Sequence, residues 1–138
     1  MPFVLDASLT LSWCFADEST PYSRSVLTAL TNTWAEVPAL WLVEVANVLA
    51  VNERRGRITA AISDEFLDKL AALDIRVEHP VPHIGGKSLL PLVRQYHLSA
   101  YDAAYLELAQ RKNLSLATLD KELTTAAGQA GVALVAQP

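Results

Sequence analysis

The sequence predicts an α/β protein in which a five-stranded parallel sheet lies between two layers of helices. Short apolar runs alternate with longer stretches of helical periodicity along the chain. Most of these runs lack polar alternation, which is typical of strands buried on both faces. No linker, repeat or low-complexity tract is visible, so residues 1–138 are expected to form a single domain, a three-layer α/β/α sandwich with right-handed crossovers.

Composition limits the kind of protein. About half of the residues are hydrophobic (51%), enough for a substantial core, and the net charge of −4 argues against binding nucleic acid by diffuse basic attraction. Clustered carboxylates that hold a metal ion would add such negative charge. Because Cys14 is the single cysteine and no export signal or bilayer-spanning run is visible, we expect a cytoplasmic protein without a membrane partner.

The first half of the chain contains two predicted strands. The apolar run 3–5 is the first and is followed by Asp6; residues 36–38 form the second. Thr20 and Pro21 mark a helix start, as N-cap and first helical residue. An unusually apolar helix is predicted over 40–51, ending near Gly56. Thr59 then caps a helix to Leu73, whose inward residues are expected to be Ile62, Phe66, Leu67 and Leu70.

The second half begins with a predicted edge strand at 74–78. The prolines within 79–83 exclude a helical metal-binding histidine pair there. A helix should follow to His97, with Pro91 tolerated only in its first turn. Ser99 then caps a helix, and residues 114–120 form a strand that ends in an acid. A helix over 122–130 and a last buried strand at 132–135 complete the predicted sheet.

Four acids are expected to meet at one edge of this sheet. Asp6 and Asp120 end strands, Asp102 begins a helix, and Glu44 is the only charged residue in its apolar helix. Ligands of parallel sheets bind beyond the carboxyl ends of the strands. For Asp102 alone, a helix cap in a Ser-x-x-Asp pattern is the simpler interpretation. Four converging carboxylates, however, repel one another unless cations or protons compensate, and oxygen ligands of this kind suit Mg²⁺ or Mn²⁺.

Hydroxyl and amide groups near these acids are expected to orient them. The candidates are Ser8, Asn47, Ser99 and Thr118. A carboxylate-held Mg²⁺ without another nucleophile favours hydrolysis of a phosphodiester by metal-activated water.

Taken together, the motifs Val4-Leu5-Asp6-x-Ser8, Glu44-x-x-Asn47, Ser99-x-x-Asp102-x-x-Tyr105 and Thr118-x-Asp120 resemble those of PIN-domain ribonucleases, specifically VapC-type toxins. The resemblance implies a sheet order of 3-2-1-4-5 and a Mg²⁺-dependent endoribonuclease that cuts tRNA or ribosomal RNA. It further implies a homodimer held inactive by a cognate antitoxin. By this resemblance the catalytic metal ligands, direct or through water, are Asp6, Glu44, Asp102 and Asp120. Because Lys121 and Glu122 follow the fourth acid, the sequence leaves open which acid completes the site.

Other functions are weighed against this one. A haloacid-dehalogenase-type phosphatase needs a second Asp where Ser8 stands, and a response-regulator receiver needs paired acids that are not visible. A PIN-like fold that only binds partners remains an alternative. A basic cluster at the end of the apolar helix either complements the helix dipole or contacts RNA phosphates; it comprises Arg54, Arg55 and Arg57.

Overall fold

A computed structural model of the chain, described for residues 1–78 and 85–136, contains a parallel sheet of four strands between helices. The strand order is β3-β2-β1-β4. The strands are β1 (Phe3–Leu5), β2 (Ala35–Val37), β3 (Ile75–Val77) and β4 (Ser115–Ala117). The helices are α1 (Ala7–Ser12), α2 (Pro21–Ala29), α3 (Leu40–Arg54), α4 (Ala60–Ala71), α5 (Gly85–Tyr96), α6 (Ala100–Lys112) and α7 (Lys121–Gln129), with one 3-10 turn at Ala16–Glu18.

Strand β1 lies at the centre of the sheet. Phe3 pairs with Ala35 of β2 on one side and with Ser115 of β4 on the other. All three β1 residues are buried, and α6 packs against the strand with Tyr105 and Leu106 almost fully enclosed. Because β1 and β4 are parallel neighbours, the residues that follow them emerge side by side at one edge of the sheet.

The helix starts follow the predicted chemistry. The hydroxyls of Thr20, Thr59 and Ser99 each accept a backbone N–H of the first turn of their helix, and Thr20 forms a reciprocal capping box with Ser23. His97, which follows α5, has a positive φ of 55°, a conformation common in residues that end helices. The predicted non-helical segment at 79–83 lies outside the described residues.

The predicted fifth strand is wrong for the described part of the chain. Around Leu134 there is only one bridge, to Leu116 of β4, closed by two backbone hydrogen bonds of 2.9 Å. The bridge is parallel and lies on the side of β4 where a fifth strand was expected. Ala133 and Leu134 are exposed, so this segment lacks the burial on both faces that stabilises a parallel strand.

Helix α3 has an exposed apolar face, because Leu42 is 52% exposed and Val43 is 70% exposed. Two predictions about the later helices are wrong. On α4, Phe66 and Leu70 point inward, but Ile62 and Leu67 are exposed. Pro91 lies inside α5, beyond its first turn. The apolar pattern did not separate core faces from exposed apolar faces, because both use the same residue types. Among the described residues, no helix combines the length and the apolar character needed to cross a membrane.

Truncating Leu116 should destabilise the protein far more than truncating Leu134. Leu116 is fully buried in β4, whereas Leu134 is 39% exposed beside it. We expect Leu116→Ala to lower the free energy of unfolding by about 2–5 kcal/mol, and Leu134→Ala to change it by less than about 1 kcal/mol. Urea denaturation of both variants measures this. Equal losses would show that the segment after α7 contributes to the core as a full strand does.

Candidate metal centre at the edge of the sheet

Two of the predicted acids follow neighbouring strands and cap helices. Asp6 follows β1 and is the N-cap of α1, where its carboxylate accepts the Leu9 N–H at 2.9 Å. Asp120 follows β4 and is the N-cap of α7, accepting the Leu123 N–H at 2.8 Å. The pairing of β1 with β4 thus brings both strand ends to the same edge of the sheet.

Asp6 is the most enclosed of the four acids, with 3% of its surface exposed. Burial and, to a smaller extent, the negative charge of Asp102 raise its pKa from 3.8 to about 6. Hydrogen bonds from Thr118, the Leu9 N–H and Ser8 act in the opposite direction because they favour the charged carboxylate. Asp6 is therefore a buried carboxyl group whose ionisation is held back by its surroundings.

Two hydroxyl groups join Asp6 to the segment after β4. Ser8 donates to the Asp6 carboxylate at 2.8 Å and accepts the Leu119 N–H at 3.2 Å. Thr118, itself buried, donates to Oδ2 of Asp6 and accepts the Asp120 N–H at 2.9 Å. Both side chains use donor and acceptor capacity at once, so they fix the position of Asp6 relative to the start of α7.

Asp102 lies in the first turn of α6 and is half-buried. Its pKa is raised from 3.8 to about 6, first by burial and then by the charges of Asp120, Glu44 and Glu122. Ser99 accepts the Asp102 N–H at 3.1 Å and opposes the shift. The carboxylates of α3, α6 and the α7 start therefore act on one another. Glu122 belongs to this group together with Asp120, so the choice between them stays open.

Glu44 has a partner that sequence reasoning did not assign. The buried Tyr105 hydroxyl donates to Oε1 of Glu44, in place of the basic residue that a structural ion pair would need. Burial raises the pKa of Glu44, and the bond from Tyr105 opposes this rise. The i,i+3 spacing of Asp102 and Tyr105 on α6 was the available signal, since it puts both on one helix face.

The remaining candidates differ in their surroundings. Asn47 is exposed on α3 and makes no side-chain hydrogen bond within the described residues. Arg54 and Arg55 are exposed at the end of α3. Arg57, by contrast, pairs with Asp17 at 2.6 Å and lies over the Phe15 ring.

The four carboxylates suit a hard cation such as Mg²⁺, although they do not surround an ion on all sides. Within residues 1–78 and 85–136, no three Asp, Glu, His or Cys side chains lie close enough together to hold one ion directly. Mg²⁺ commonly takes only one or two protein carboxylates and keeps several waters. The negative charge of Asp102 acts on Asp6, and the negative charge of Asp120 acts on Asp102, so the carboxylates at this edge of the sheet match that requirement.

Removing the Thr118 hydroxyl should raise the pKa of Asp6 above about 6. Thr118→Val keeps the side-chain shape but removes the donor to Asp6 and the acceptor for the Asp120 N–H. A buried group left unsatisfied costs about 1–3 kcal/mol of unfolding free energy. A carboxyl ¹³C NMR titration and urea denaturation measure both effects, with Thr118→Ser as the control that keeps the hydroxyl. An unchanged Asp6 pKa in Thr118→Val would contradict the role of this hydrogen bond.

Comparison with known structures identifies the fold, which is the PIN-like fold of VapC toxins. The chain aligns with VapC20 of Mycobacterium tuberculosis, described as a sarcin-ricin loop cleaving toxin, at 17% identity over 100% of both chains and a TM-score of 0.67. It aligns with VapBC2 of Rickettsia felis, bound to a DNA fragment from its promoter, at 13% identity over 98% of both chains and a TM-score of 0.68.

A third similar structure is PAE2754 from Pyrobaculum aerophilum, at 23% identity over 91% of this chain and 87% of that one, with a TM-score of 0.68. No family model matches the sequence, and no curated protein matches it. The structural likeness to VapC toxins confirms the predicted fold family, including the order of the four strands observed.

Proposed function

We propose that this protein is a Mg²⁺-dependent endoribonuclease, the toxin of a toxin–antitoxin pair. The observation that carries the proposal is the interaction of Asp102 with Asp6, Glu44 and Asp120 at the edge of the sheet, where burial and, after it, charge repulsion raise the pKa of Asp6 and Asp102 to about 6. Carboxylates in that condition gain stability from a bound divalent cation. The VapC-like fold supports the same conclusion.

In this proposal Asp6, Asp102, Glu44 and Asp120 hold the ion, directly or through water. Bound Mg²⁺ supplies Lewis-acid stabilisation of the phosphodiester charge and makes water a better nucleophile. Ser8 and Thr118 keep the Asp6 carboxylate in one orientation. Ser99 holds the first turn of α6. Asn47, exposed one turn beyond Glu44, would face the RNA.

The Tyr105 hydroxyl would do the same for Glu44 that Ser8 and Thr118 do for Asp6. Its hydrogen bond favours the ionised form of Glu44, and burial of the ring fixes its position. Tyr105 is thereby a positioning residue for the acid on α3.

We also propose that the protein forms a homodimer and binds a cognate antitoxin. Its substrate would be an RNA such as tRNA or ribosomal RNA, which implies a cytoplasmic location. Exposed apolar side chains support partner binding, because large apolar groups on neighbouring helices gain stability when covered. They are Leu42 and Val43 on α3, and Ile62 and Leu67 on α4. The similar VapBC2 structure contains a VapC-type protein together with promoter DNA.

The first test is incubation of purified protein with pooled tRNA and ribosomal RNA, in Mg²⁺, in Mn²⁺ and in EDTA, beside Asp6→Asn. Discrete cuts that need metal and disappear in Asp6→Asn would support the proposal. Metal-dependent thermal stabilisation without cuts would contradict this substrate class, and hydrolysis of a phosphomonoester would then favour a phosphatase. Neither cuts nor stabilisation would favour the alternative, a PIN-like fold that only binds partners.

Arg55→Ala should weaken RNA binding and flatten its salt dependence. A side chain that contacts one phosphate contributes about 0.7 to the slope of log affinity against log salt for single-stranded RNA. Arg54 is expected to behave similarly because both are exposed at the end of α3. Filter binding across a salt series measures the slope. Arg57→Ala is the comparison: it should mainly lower stability, since that side chain pairs with Asp17 and Glu18. An unchanged slope in Arg55→Ala would exclude a phosphate contact.

A further inference from the structure

A cavity of about 360 Å³ lies beside the carboxylate cluster, between the end of α5 and one face of α7. Its volume is at the small end of the range for ligand sites, about 300–1,000 Å³, which limits an occupant to a single small group. From α5 and the residue after it come Tyr96 and His97. From α7 come Lys121, Glu122, Thr125, Ala126 and Gln129.

The cavity borders the candidate metal centre at the start of α7. Lys121 follows Asp120 directly, and Asp120 caps the same helix. Glu122 lines the cavity, and its charge also acts on Asp102. An RNA phosphate bound at the acids would therefore have the cavity on the α7 side of it, where an adjoining nucleotide can lie.

The chemistry of the lining matches one nucleotide. Lys121 is exposed and makes no ion pair with any described residue, so its ammonium group is available to a phosphate. This cation stands beside a group of acids that would otherwise repel a polyanion. Tyr96 is half-buried and offers an aromatic face, and His97 offers an exposed ring in a fixed turn. Aromatic faces stack unpaired bases of single-stranded RNA.

The polar side chains of α7 complete the cavity. Thr125 donates its hydroxyl hydrogen to the Lys121 carbonyl at 3.0 Å, which leaves its oxygen free to accept from a base. Gln129, one turn further, carries both a donor and an acceptor. The buried Ala126 forms the floor between them.

We propose that this cavity binds one unpaired nucleotide of the substrate RNA next to the scissile phosphate, with Lys121 on a phosphate and the base against Tyr96. The assignment rests on the proposed ribonuclease function. It makes Lys121 and Tyr96 residues that determine where RNA is cut, and it gives Lys121, which directly follows the fourth acid, a role in substrate binding.

The test uses fluorescence anisotropy with a short fluorescein-labelled single-stranded RNA of mixed sequence, bound to full-length Asp102→Asn protein so that the RNA stays intact. Adding Lys121→Ala should weaken binding about tenfold and lower the salt slope by about 0.7. Lys121→Arg should restore both. Lys87→Ala is the matched control, because Lys87 is an exposed lysine near the other end of α5. In the active protein, Lys121→Ala should raise KM more than it lowers kcat.

Tyr96 is tested by two substitutions. Tyr96→Phe keeps the aromatic face and should bind RNA as well as the unsubstituted protein, whereas Tyr96→Leu should bind about tenfold more weakly. Because Tyr96 also packs against the core, urea denaturation of both variants checks that each is folded.

The outcomes separate this proposal from the proposed function. Metal-dependent RNA cleavage with unchanged affinity, salt slope and KM in Lys121→Ala would overturn the nucleotide site and leave the nuclease standing. RNA binding that depends on Lys121 and Tyr96 without cleavage would support the site and contradict the nuclease. A loss of kcat alone in Lys121→Ala would also overturn the assignment, since it would place Lys121 in the chemistry. An equal loss of RNA affinity in Lys87→Ala would mean that Lys121 acts only through the overall positive charge of the protein, which would also overturn the proposal.

Discussion

Asp102→Asn should abolish metal-dependent RNA cleavage without destabilising the metal-free protein. Loss of an outer hydrogen-bond partner of a metal ligand typically costs 10- to 100-fold in activity, so loss of a ligand should exceed about 100-fold. The charged form of the Asp102 carboxyl is disfavoured first by burial and then by the charges of Asp120, Glu44 and Glu122. The neutral amide removes that repulsion, and the metal-free variant should therefore be as stable as the unsubstituted protein or more so.

The metal response of the same variant provides an independent readout. At a hundredfold excess of Mg²⁺ over its dissociation constant, the unsubstituted protein should gain about 2.7 kcal/mol of stability. Asp102→Asn should gain clearly less. Urea denaturation with EDTA and with Mg²⁺ measures both gains, and Asp64→Asn, which removes an exposed carboxylate from α4, is the matched control. An equal gain in Asp102→Asn would remove Asp102 from the metal centre.

The stability of the metal-free protein should fall as the pH rises from about 4 to about 6. Asp6 has a pKa near 6 in the folded protein and an ordinary value of 3.8, so the folded state holds a proton that the unfolded state has lost. The stabilisation from that proton is complete below about pH 4 and is lost as the pH passes the folded pKa. For the buried Asp6, this amounts to about 3 kcal/mol. Asp102 contributes in the same direction.

Bound Mg²⁺ should reverse this trend, because the ion binds the ionised carboxylates and competes with protons. Urea denaturation across this pH range, with EDTA and with saturating Mg²⁺, measures the two slopes. The difference between the unsubstituted protein and Asp6→Asn isolates the contribution of Asp6, since Glu78 and Asp74 have lowered pKa values that act oppositely in both proteins. Parallel curves for the two proteins in EDTA would contradict the raised pKa.

The sequence alone was sufficient for features that depend on neighbouring residues. Thr20, Thr59 and Ser99 cap their helices because hydroxyls next to helix-forming segments satisfy the free N–H groups of the first turn. Asp6 and Asp120 lie at the same edge of the sheet because each follows a short buried run and parallel neighbouring strands end at one edge. Helix caps and the common edge at which parallel strands end can therefore be predicted from the sequence.

Only the tertiary structure decided the features that depend on distant residues. The pairing of Tyr105 with Glu44 joins α6 to α3 across 61 positions of sequence, and no local pattern specifies it. The segment around Leu134 pairs at one residue because packing does not cover it, although its composition suits a strand. The raised pKa of Asp6 likewise comes from burial by the whole fold. Residue type sets what a side chain can do, and long-range packing sets its neighbours, its exposure and its charge.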